Sequence, residues 1–234
     1  MIKKIKKILD KKNKSKIVCL TAYSKSIASI LDKFVDIILV GDSMANVLYG
    51  HKNTHKISLK NILQHTSSVK MGVNNSLLVV DMPKGSYQNI KIAYKNVKLV
   101  INKTKCDAIK LESNGKNYKI IESLVKKKIP VMGHIGYTPQ FKRNFKIEGT
   151  SKLDGLKLLK EAKAIEEAGA FSIVLECISP WTAKLITREL DIPTIGIGSS
   201  SYCDGQILVT DDMLGISGFY PKFVKKYANL NRII

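Results

Sequence analysis

Eight short apolar segments recur along the chain, and longer segments with helical periodicity separate most of them. A run of four to eight apolar residues without polar alternation is typical of a strand buried on both faces, as in a parallel sheet. The predicted strands cover residues 16–23, 36–43, 76–83, 108–113, 130–136, 171–176, 193–198 and 206–212. The predicted helices cover residues 25–34, 59–71, 89–103, 116–127, 153–168 and 180–190.

This alternation of strands and helices indicates right-handed βαβ units. Eight such units in about 200 residues fit an α/β fold of the (β/α)8 TIM-barrel type. We therefore expect residues 1–234 to form a single barrel domain. A doubly wound open sheet is the competing fold, but no G-x-G-x-x-G motif follows the first predicted strand. Residues 198–206 are too few for a regular helix, so the eighth unit is the least regular.

The chain begins with the basic segment MIKKIKKILDKK, in which Ile2, Ile5 and Ile8 recur at helical spacing. No apolar segment follows it, so it does not resemble a secretory signal. We predict a short amphipathic helix that packs on the barrel, with a membrane-surface helix as the alternative. The longest apolar runs are far shorter than the roughly 20 residues that span a bilayer, so no membrane partner is expected.

The formal net charge of +20 does not by itself indicate a nucleic-acid site. All but three of the 39 basic residues are lysines, whereas specific nucleic-acid surfaces favour arginine. We expect nonspecific attraction to polyanions but no specific nucleic-acid partner. The four cysteines lie far apart and form no C-x-x-C pair, so we expect free thiols and a cytoplasmic protein (Cys19, Cys106, Cys177 and Cys203).

Acidic residues end four of the predicted strands. These residues are Asp42, Asp81, Glu112 and Glu176. In a (β/α)8 barrel the carboxyl ends of the strands form the mouth where active sites are built. An acidic residue before a helix is also a common cap, but four in eight strands favour a shared site.

Carboxylates that lie close together repel one another and favour a divalent cation. Oxygen ligands without a histidine or cysteine cluster favour Mg²⁺ over zinc or copper. The four histidines are interpreted as structural or substrate-contacting residues (His51, His55, His65 and His134). Lys110 is two residues from Glu112 and shares its strand face, which we expect to be the barrel interior. It could bind an anionic substrate group, form a salt bridge to Glu112, or do both.

Several motifs resemble, in order along nearly the whole chain, those of the ketopantoate hydroxymethyltransferase family. Of these, GHIGYTPQ and CDGQILV are the most specific. The matching segments are VGDS (40–43), GH (50–51) with Thr54, DMP and GSY (81–83 and 85–87), KLE (110–112), GHIGYTPQ (133–140), LEC (175–177), IPTIGIG (192–198), CDGQILV (203–209), DMLGI (212–216) and PKFVKKY (221–227).

The resemblance implies a barrel of the phosphoenolpyruvate/pyruvate superfamily type. It implies transfer of a hydroxymethyl group from 5,10-methylenetetrahydrofolate to 3-methyl-2-oxobutanoate, with 2-dehydropantoate as product, in pantothenate and coenzyme A synthesis. In the family, the ligands of Mg²⁺ match Asp42, Asp81 and Glu112. The residues that contact the oxo acid match Asp42, Ser43, Asp81 and Lys110, and the base that removes the C3 proton matches Glu176.

The chain departs from the family pattern at five positions near the expected mouth, which bear on pocket shape and folate affinity (Ser24, Ala45, Lys84, Ser113 and Asn114). Family members usually continue some tens of residues beyond PKFVKKY, in a segment that packs on a neighbouring subunit. We therefore expect a homo-oligomer that is smaller or more salt-sensitive than the family's decamer. Residues 221–227 are expected to supply a last helical face through Phe223 and Tyr227.

Two other functions remain open from the sequence. One is a carbon–carbon lyase or mutase of the same superfamily that acts on a Mg²⁺-bound 2-oxo acid, although GHIGYTPQ and CDGQILV argue against it. The other is a non-catalytic basic protein that binds RNA or a partner. The four retained acids argue against loss of catalysis.

Overall fold

A computed structural model describes residues 2–142, 144–218 and 220–234. Eight parallel strands pair in chain order and close into a barrel, with β8 paired to β1. The strands are β1 Ile17–Thr21, β2 Ile37–Val40, β3 Leu77–Asp81, β4 Ala108–Glu112, β5 Val131–Gly136, β6 Ser172–Glu176, β7 Thr194–Ile197 and β8 Gly205–Leu208. The predicted (β/α)8 fold is confirmed.

The helices lie outside the barrel, except for the first, which lies at one end. They are α1 Ile2–Leu9, α2 Lys25–Leu31, α3 Met44–Val47, α4 Leu59–Lys70, α5 Ile90–Thr104, α6 Tyr118–Lys126, α7 Lys152–Glu167, α8 Pro180–Glu189 and α9 Thr210–Met213. Two 3₁₀ turns cover Thr54–Lys56 and Leu230–Arg232. No helix in the described ranges is long and apolar enough to cross a membrane.

Local sequence signals explain where several helices begin and end. Ser58 and Asn61 form a reciprocal capping box at the start of α4, and the Ser151 hydroxyl accepts a hydrogen bond from the Asp154 N–H at the start of α7. Gly169 follows α7 with a φ of +89°, a left-handed conformation that glycine adopts without strain. The six longer helices predicted from the sequence are confirmed within three residues at each end.

Alternation along the strands divides the core into two layers. Residues such as Leu39, Val79 and Ala108 fill the barrel interior, while Ile38, Leu78 and their neighbours pack outward against the helices. Successive strand residues point to opposite faces, so every second residue after an interior residue is also interior. This places the last residues of β3, β4 and β6 inside the barrel at its carboxyl end.

The first helix closes the opposite end of the barrel. Ile8 is 2% exposed and packs with Ile5 against the interior layer, so the predicted amphipathic helix is confirmed. Lysines of α1 and the following turn contact carboxylates near the strand starts. These pairs are Lys4–Asp107 at 3.4 Å, Lys11–Asp36 at 2.6 Å and Lys12–Asp204 at 2.9 Å.

Two expectations for the carboxyl-terminal part are wrong. The strand predicted over 206–212 ends at Leu208, and Thr210–Met213 is helical. Thr210 bonds to Thr21 through its N–H and its hydroxyl, and two aspartates follow in the first turn, where they favour helix initiation. Residues 221–227 form no helix. The Tyr227 N–H donates to the Met213 carbonyl at 2.9 Å, which ties this segment to α9.

The Lys12–Asp204 pair gives a stability prediction. Asp204 also accepts hydrogen bonds from the N–H groups of Asn13 and Thr194 and from the Thr194 hydroxyl. Asp204→Ala removes the carboxylate partner of the largely buried Lys12, which keeps only the Thr187 carbonyl, and it leaves the buried Thr194 donors unpaired. It should therefore lower the free energy of unfolding by about 3–5 kcal/mol. Urea unfolding followed by circular dichroism measures this change.

The matched control is Glu189→Ala, which breaks the exposed Lys163–Glu189 pair. It should change the free energy of unfolding by at most about 1 kcal/mol. Equal effects of the two substitutions would contradict the assignment of Asp204 as a buried anchor.

Candidate functional site

A cavity of about 710 Å³ opens at the carboxyl end of the barrel. All six residues singled out from the sequence line it (Asp42, Ser43, Asp81, Lys110, Glu112 and Glu176). Asp81, Glu112 and Glu176 are the last residues of β3, β4 and β6, and Asp42 follows β2 by two residues. The closed parallel barrel thus brings together side chains that lie up to 134 positions apart (176 minus 42).

Lys110 and Asp81 form a buried ion pair in this cavity. The Lys110 Nζ lies 2.6 Å from Asp81 Oδ1, and the second Asp81 oxygen accepts the Asp42 N–H at 3.2 Å. Burial alone would lower the pKa of Lys110, but the carboxylates of Asp81, Asp42 and Glu112 raise it above its usual value. Lys110 is therefore a fixed positive charge, and its salt-bridge partner is Asp81 rather than Glu112.

Asp42 and Glu112 are held by a residue that the sequence analysis did not assign. The Gln140 side-chain Nε2 donates to Asp42 Oδ2 at 2.8 Å, and the Gln140 backbone N–H donates to Glu112 Oε2 at 2.9 Å. Burial, reinforced by Asp81, raises the pKa of Asp42. Burial, reinforced by Asp42, raises the pKa of Glu112 well above its usual value.

Glu176 faces a buried histidine on the neighbouring strand. His134 Nε2 lies 3.2 Å from Glu176 Oε2, without hydrogen-bond alignment, and His134 Nδ1 lies 3.8 Å from Glu112 Oε1. Burial raises the pKa of Glu176 to about 7, although Lys110 opposes the shift. Burial holds the pKa of His134 well below its usual value, so the imidazole is neutral. The Glu176 side chain keeps 19% of its surface exposed, so it remains open to the cavity.

Ser43 is fixed at the wall of the cavity by a neighbouring aromatic side chain. Its hydroxyl lies 2.8 Å from the Tyr23 hydroxyl. Cys177, directly after Glu176, is a buried thiol whose pKa burial raises to about 12. A thiol with such a pKa is not ionised near neutral pH, so Cys177 is a poor nucleophile.

The donor atoms of the cavity fit Mg²⁺ better than a softer metal, because they are carboxylate oxygens. The carboxyl groups of Asp42, Asp81, Glu112 and Glu176 lie around the ammonium group of Lys110, and a divalent cation would reduce the repulsion among them. In the described ranges, no three acidic, histidine or cysteine side chains form a ready-made metal cluster. Mg²⁺ commonly binds one or two carboxylates and keeps several waters, which this arrangement allows.

Both His134 and Gln140 belong to the motif GHIGYTPQ, but the sequence predicted only a structural or substrate-contacting histidine and no role for Gln140. The position of His134 could have predicted that it lies inside the barrel, because it is two residues from Met132 and shares the interior face of β5 with it. Of the departures from the family pattern, Lys84 lies 3.3 Å from both ring nitrogens of His55 at the rim, and Ser113 bonds to Glu161.

Several solved structures share this fold at low sequence identity. A phosphonopyruvate hydrolase, solved as a complex with oxalate and Mg²⁺, superposes with a TM-score of 0.67 at 12% identity, over 88% of this chain and 80% of that one. A 2,3-dimethylmalate lyase, described as a PEP mutase/isocitrate lyase superfamily member, gives a TM-score of 0.60 at 15% identity, over 82% and 71% of the two chains. These matches confirm the expected type of barrel.

Relatives in sequence are much more similar. The 3-methyl-2-oxobutanoate hydroxymethyltransferase of Pelagibacter ubique is 52% identical over all of this chain and 91% of its own length. The enzyme of the same name from Anaplasma marginale is 46% identical over all of this chain and 86% of its own length. The family profile described as ketopantoate hydroxymethyltransferase matches residues 2–234. The chain therefore belongs to the ketopantoate hydroxymethyltransferase family.

Proposed function

We propose that this protein transfers a hydroxymethyl group from 5,10-methylenetetrahydrofolate to 3-methyl-2-oxobutanoate and forms 2-dehydropantoate for pantothenate synthesis. The observation that carries the proposal is Glu176, a carboxyl group with a pKa near 7 in the same cavity as Lys110 and three further acids. Such a group is suited to remove a proton next to a ketone at neutral pH. The relatives' names supply the substrate.

The oxo acid would bind at the carboxyl ends of β2, β3 and β4. Asp42, Asp81 and Glu112 would hold Mg²⁺, directly or through water. When bound, Mg²⁺ acts as a Lewis acid that polarises the 2-oxo group and makes the C3 proton more acidic. The fixed charge of Lys110 attracts the anionic substrate, and the Ser43 hydroxyl offers a hydrogen bond to it. Asp42 and Asp81 complete the contacts to the substrate.

Glu176 is the proposed general base. Its carboxylate takes the proton from C3, and the carbon then attacks the methylene carbon of the folate donor. Both bonds from the methylene carbon to the folate nitrogens break: a C–C bond to C3 replaces one, and the hydroxyl of a water molecule replaces the other. The proton taken from C3 and the remaining proton of that water go to the two nitrogens, and tetrahydrofolate leaves. This sequence needs no enzyme nucleophile, which agrees with the un-ionised thiol of Cys177.

We propose that this reaction takes place in the cytoplasm. Four buried thiols are compatible with a reducing cytoplasm. A homo-oligomer without a specific nucleic-acid or membrane partner remains our prediction for the assembled protein. Formation of the product only when methylenetetrahydrofolate is present would separate the proposed transferase from a lyase or mutase of the superfamily.

Glu176→Gln should abolish most of the exchange of the C3 proton with deuterated water, which nuclear magnetic resonance measures. A general base contributes roughly 10²–10⁴-fold to a rate, so a loss of this size is expected. Binding of Mg²⁺ and of the oxo acid should persist, because the amide keeps the shape of the side chain. Glu189→Gln on the exposed end of α8 is the control, and wild-type exchange in Glu176→Gln would refute the assignment.

The pH dependence of C3 exchange should follow the ionisation of Glu176. Its pKa is raised to about 7, so the protonated, inactive form predominates at lower pH. The exchange rate should therefore rise with pH and level off above about 7, with a lower midpoint when bound Mg²⁺ favours the carboxylate. Exchange rates measured at saturating Mg²⁺ from about pH 5 to about pH 9 test this, and a rate that falls as pH rises would contradict it.

A further inference from the structure

Gln140 lies in the turn after β5 and contacts the carboxyl ends of three other strands. It is 1% exposed. Its side-chain Nε2 donates to Asp42 Oδ2 at 2.8 Å and to the Met82 carbonyl at 3.1 Å. Its backbone N–H donates to Glu112 Oε2 at 2.9 Å. One residue therefore connects two acids that β2 and β4 position independently.

The chemistry of the neighbours fixes the orientation of the Gln140 amide. The Met82 carbonyl can only accept a hydrogen bond, so the amide NH₂ must face it, and the same NH₂ donates to Asp42. The amide oxygen then faces Tyr87, whose hydroxyl donates to Gln140 Oε1 at 2.6 Å. Tyr87 is 4% exposed, so this bond is shielded from water. Tyr87 thus stabilises the one amide orientation that serves Asp42.

A neutral amide holds the two carboxylates without cancelling their charge. A lysine at this position would compete with a cation, as Lys110 neutralises Asp81. Gln140 engages one oxygen of Asp42 and one of Glu112, and no hydrogen bond to the second oxygen of either group is found within the described ranges. Each carboxyl group therefore keeps one oxygen available to a ligand.

We propose that Gln140, oriented by Tyr87, is a positioning residue that fixes the Asp42 and Glu112 carboxylates relative to each other and thereby sets the affinity of the cavity for Mg²⁺. This inference rests on the proposed function, because that function assigns both carboxylates to Mg²⁺. Gln140 itself need not touch substrate or metal. Partners that orient metal-binding carboxylates typically contribute 10–100-fold to metal affinity.

The test uses Gln140→Met, Tyr87→Phe and the double variant. Methionine keeps the length of glutamine and the backbone N–H to Glu112, but it removes the bond to Asp42. Mg²⁺ binding to the purified protein is measured by calorimetry, and Mn²⁺ binding by electron paramagnetic resonance. We expect affinity about 10–100-fold weaker for Gln140→Met and a smaller loss for Tyr87→Phe. The double variant should be no weaker than Gln140→Met, since Tyr87 acts through the amide.

Thr187→Val is the matched control for lost stability. Thr187 is buried, and its hydroxyl lies 2.8 Å from the Thr194 hydroxyl, away from the cavity. This variant should bind both ions as the wild type does. Turnover of Gln140→Met should recover at high Mg²⁺ concentration, because the substitution raises the metal requirement more than it lowers the maximal rate.

Unchanged metal affinity in Gln140→Met, or additive losses in the double variant, would overturn the positioning role. Tyr87→Phe decides the matter if Gln140→Met does not fold, because it removes the hydroxyl that orients the amide and keeps the aromatic ring. A wild-type protein that binds Mg²⁺ but forms no 2-dehydropantoate would refute the proposed function while leaving the metal measurements valid. Normal turnover with unaltered metal affinity in the variants would refute only the role of Gln140.

Discussion

The ion pair between Lys110 and Asp81 makes the rest of the cavity possible. The two residues are directly opposite each other in the β3–β4 register, and their charged atoms lie 2.6 Å apart. A parallel barrel sends the carboxyl ends of all strands to one mouth, so acids on several strands necessarily meet there. Without the Lys110 charge, the desolvation and mutual repulsion of these acids would favour their protonated forms more strongly. The pair therefore keeps an acidic site compatible with a folded barrel.

The remaining acids still lower the stability of the folded state. The pKa values of Asp42 and Glu176 lie above those of the unfolded chain, mainly because of burial. The folded protein thus binds protons more tightly than the unfolded chain, and stability falls as pH rises from the unfolded towards the folded pKa values. At neutral pH the site is strained electrostatically, and a bound cation would relieve that strain. The burial of several acidic groups in one cavity therefore both lowers the stability of the folded protein and favours binding of a cation.

The sequence predicted the barrel and the acids well because both depend on simple periodicity. Apolar runs such as 77–80 marked the strands, and the two-residue repeat placed Lys110 and Glu112 on one interior face. Gln140 and Tyr87 were not predictable in this way, since their bonds join residues 53 positions apart across irregular loops. The prediction of a helix at 221–227 was wrong for a related reason. Its amphipathic pattern fits a helix, but the backbone pairs with α9 instead.

Residues 221–227, which form no helix, contribute to the outer wall of the cavity. Pro221, Phe223 and Val224 line the cavity together with the loop residue Tyr137. A Cβ atom on Gly198, where φ is +56°, would lie 2.6 Å from the Phe223 ring, so glycine permits this ring to approach the end of β7. Strand ends and Gln140 thus fix Lys110 and the acidic side chains, while loops supply the outer walls of the cavity. Because loops tolerate substitution better than strands, the strand-end groups can be retained while the shape of the outer cavity changes.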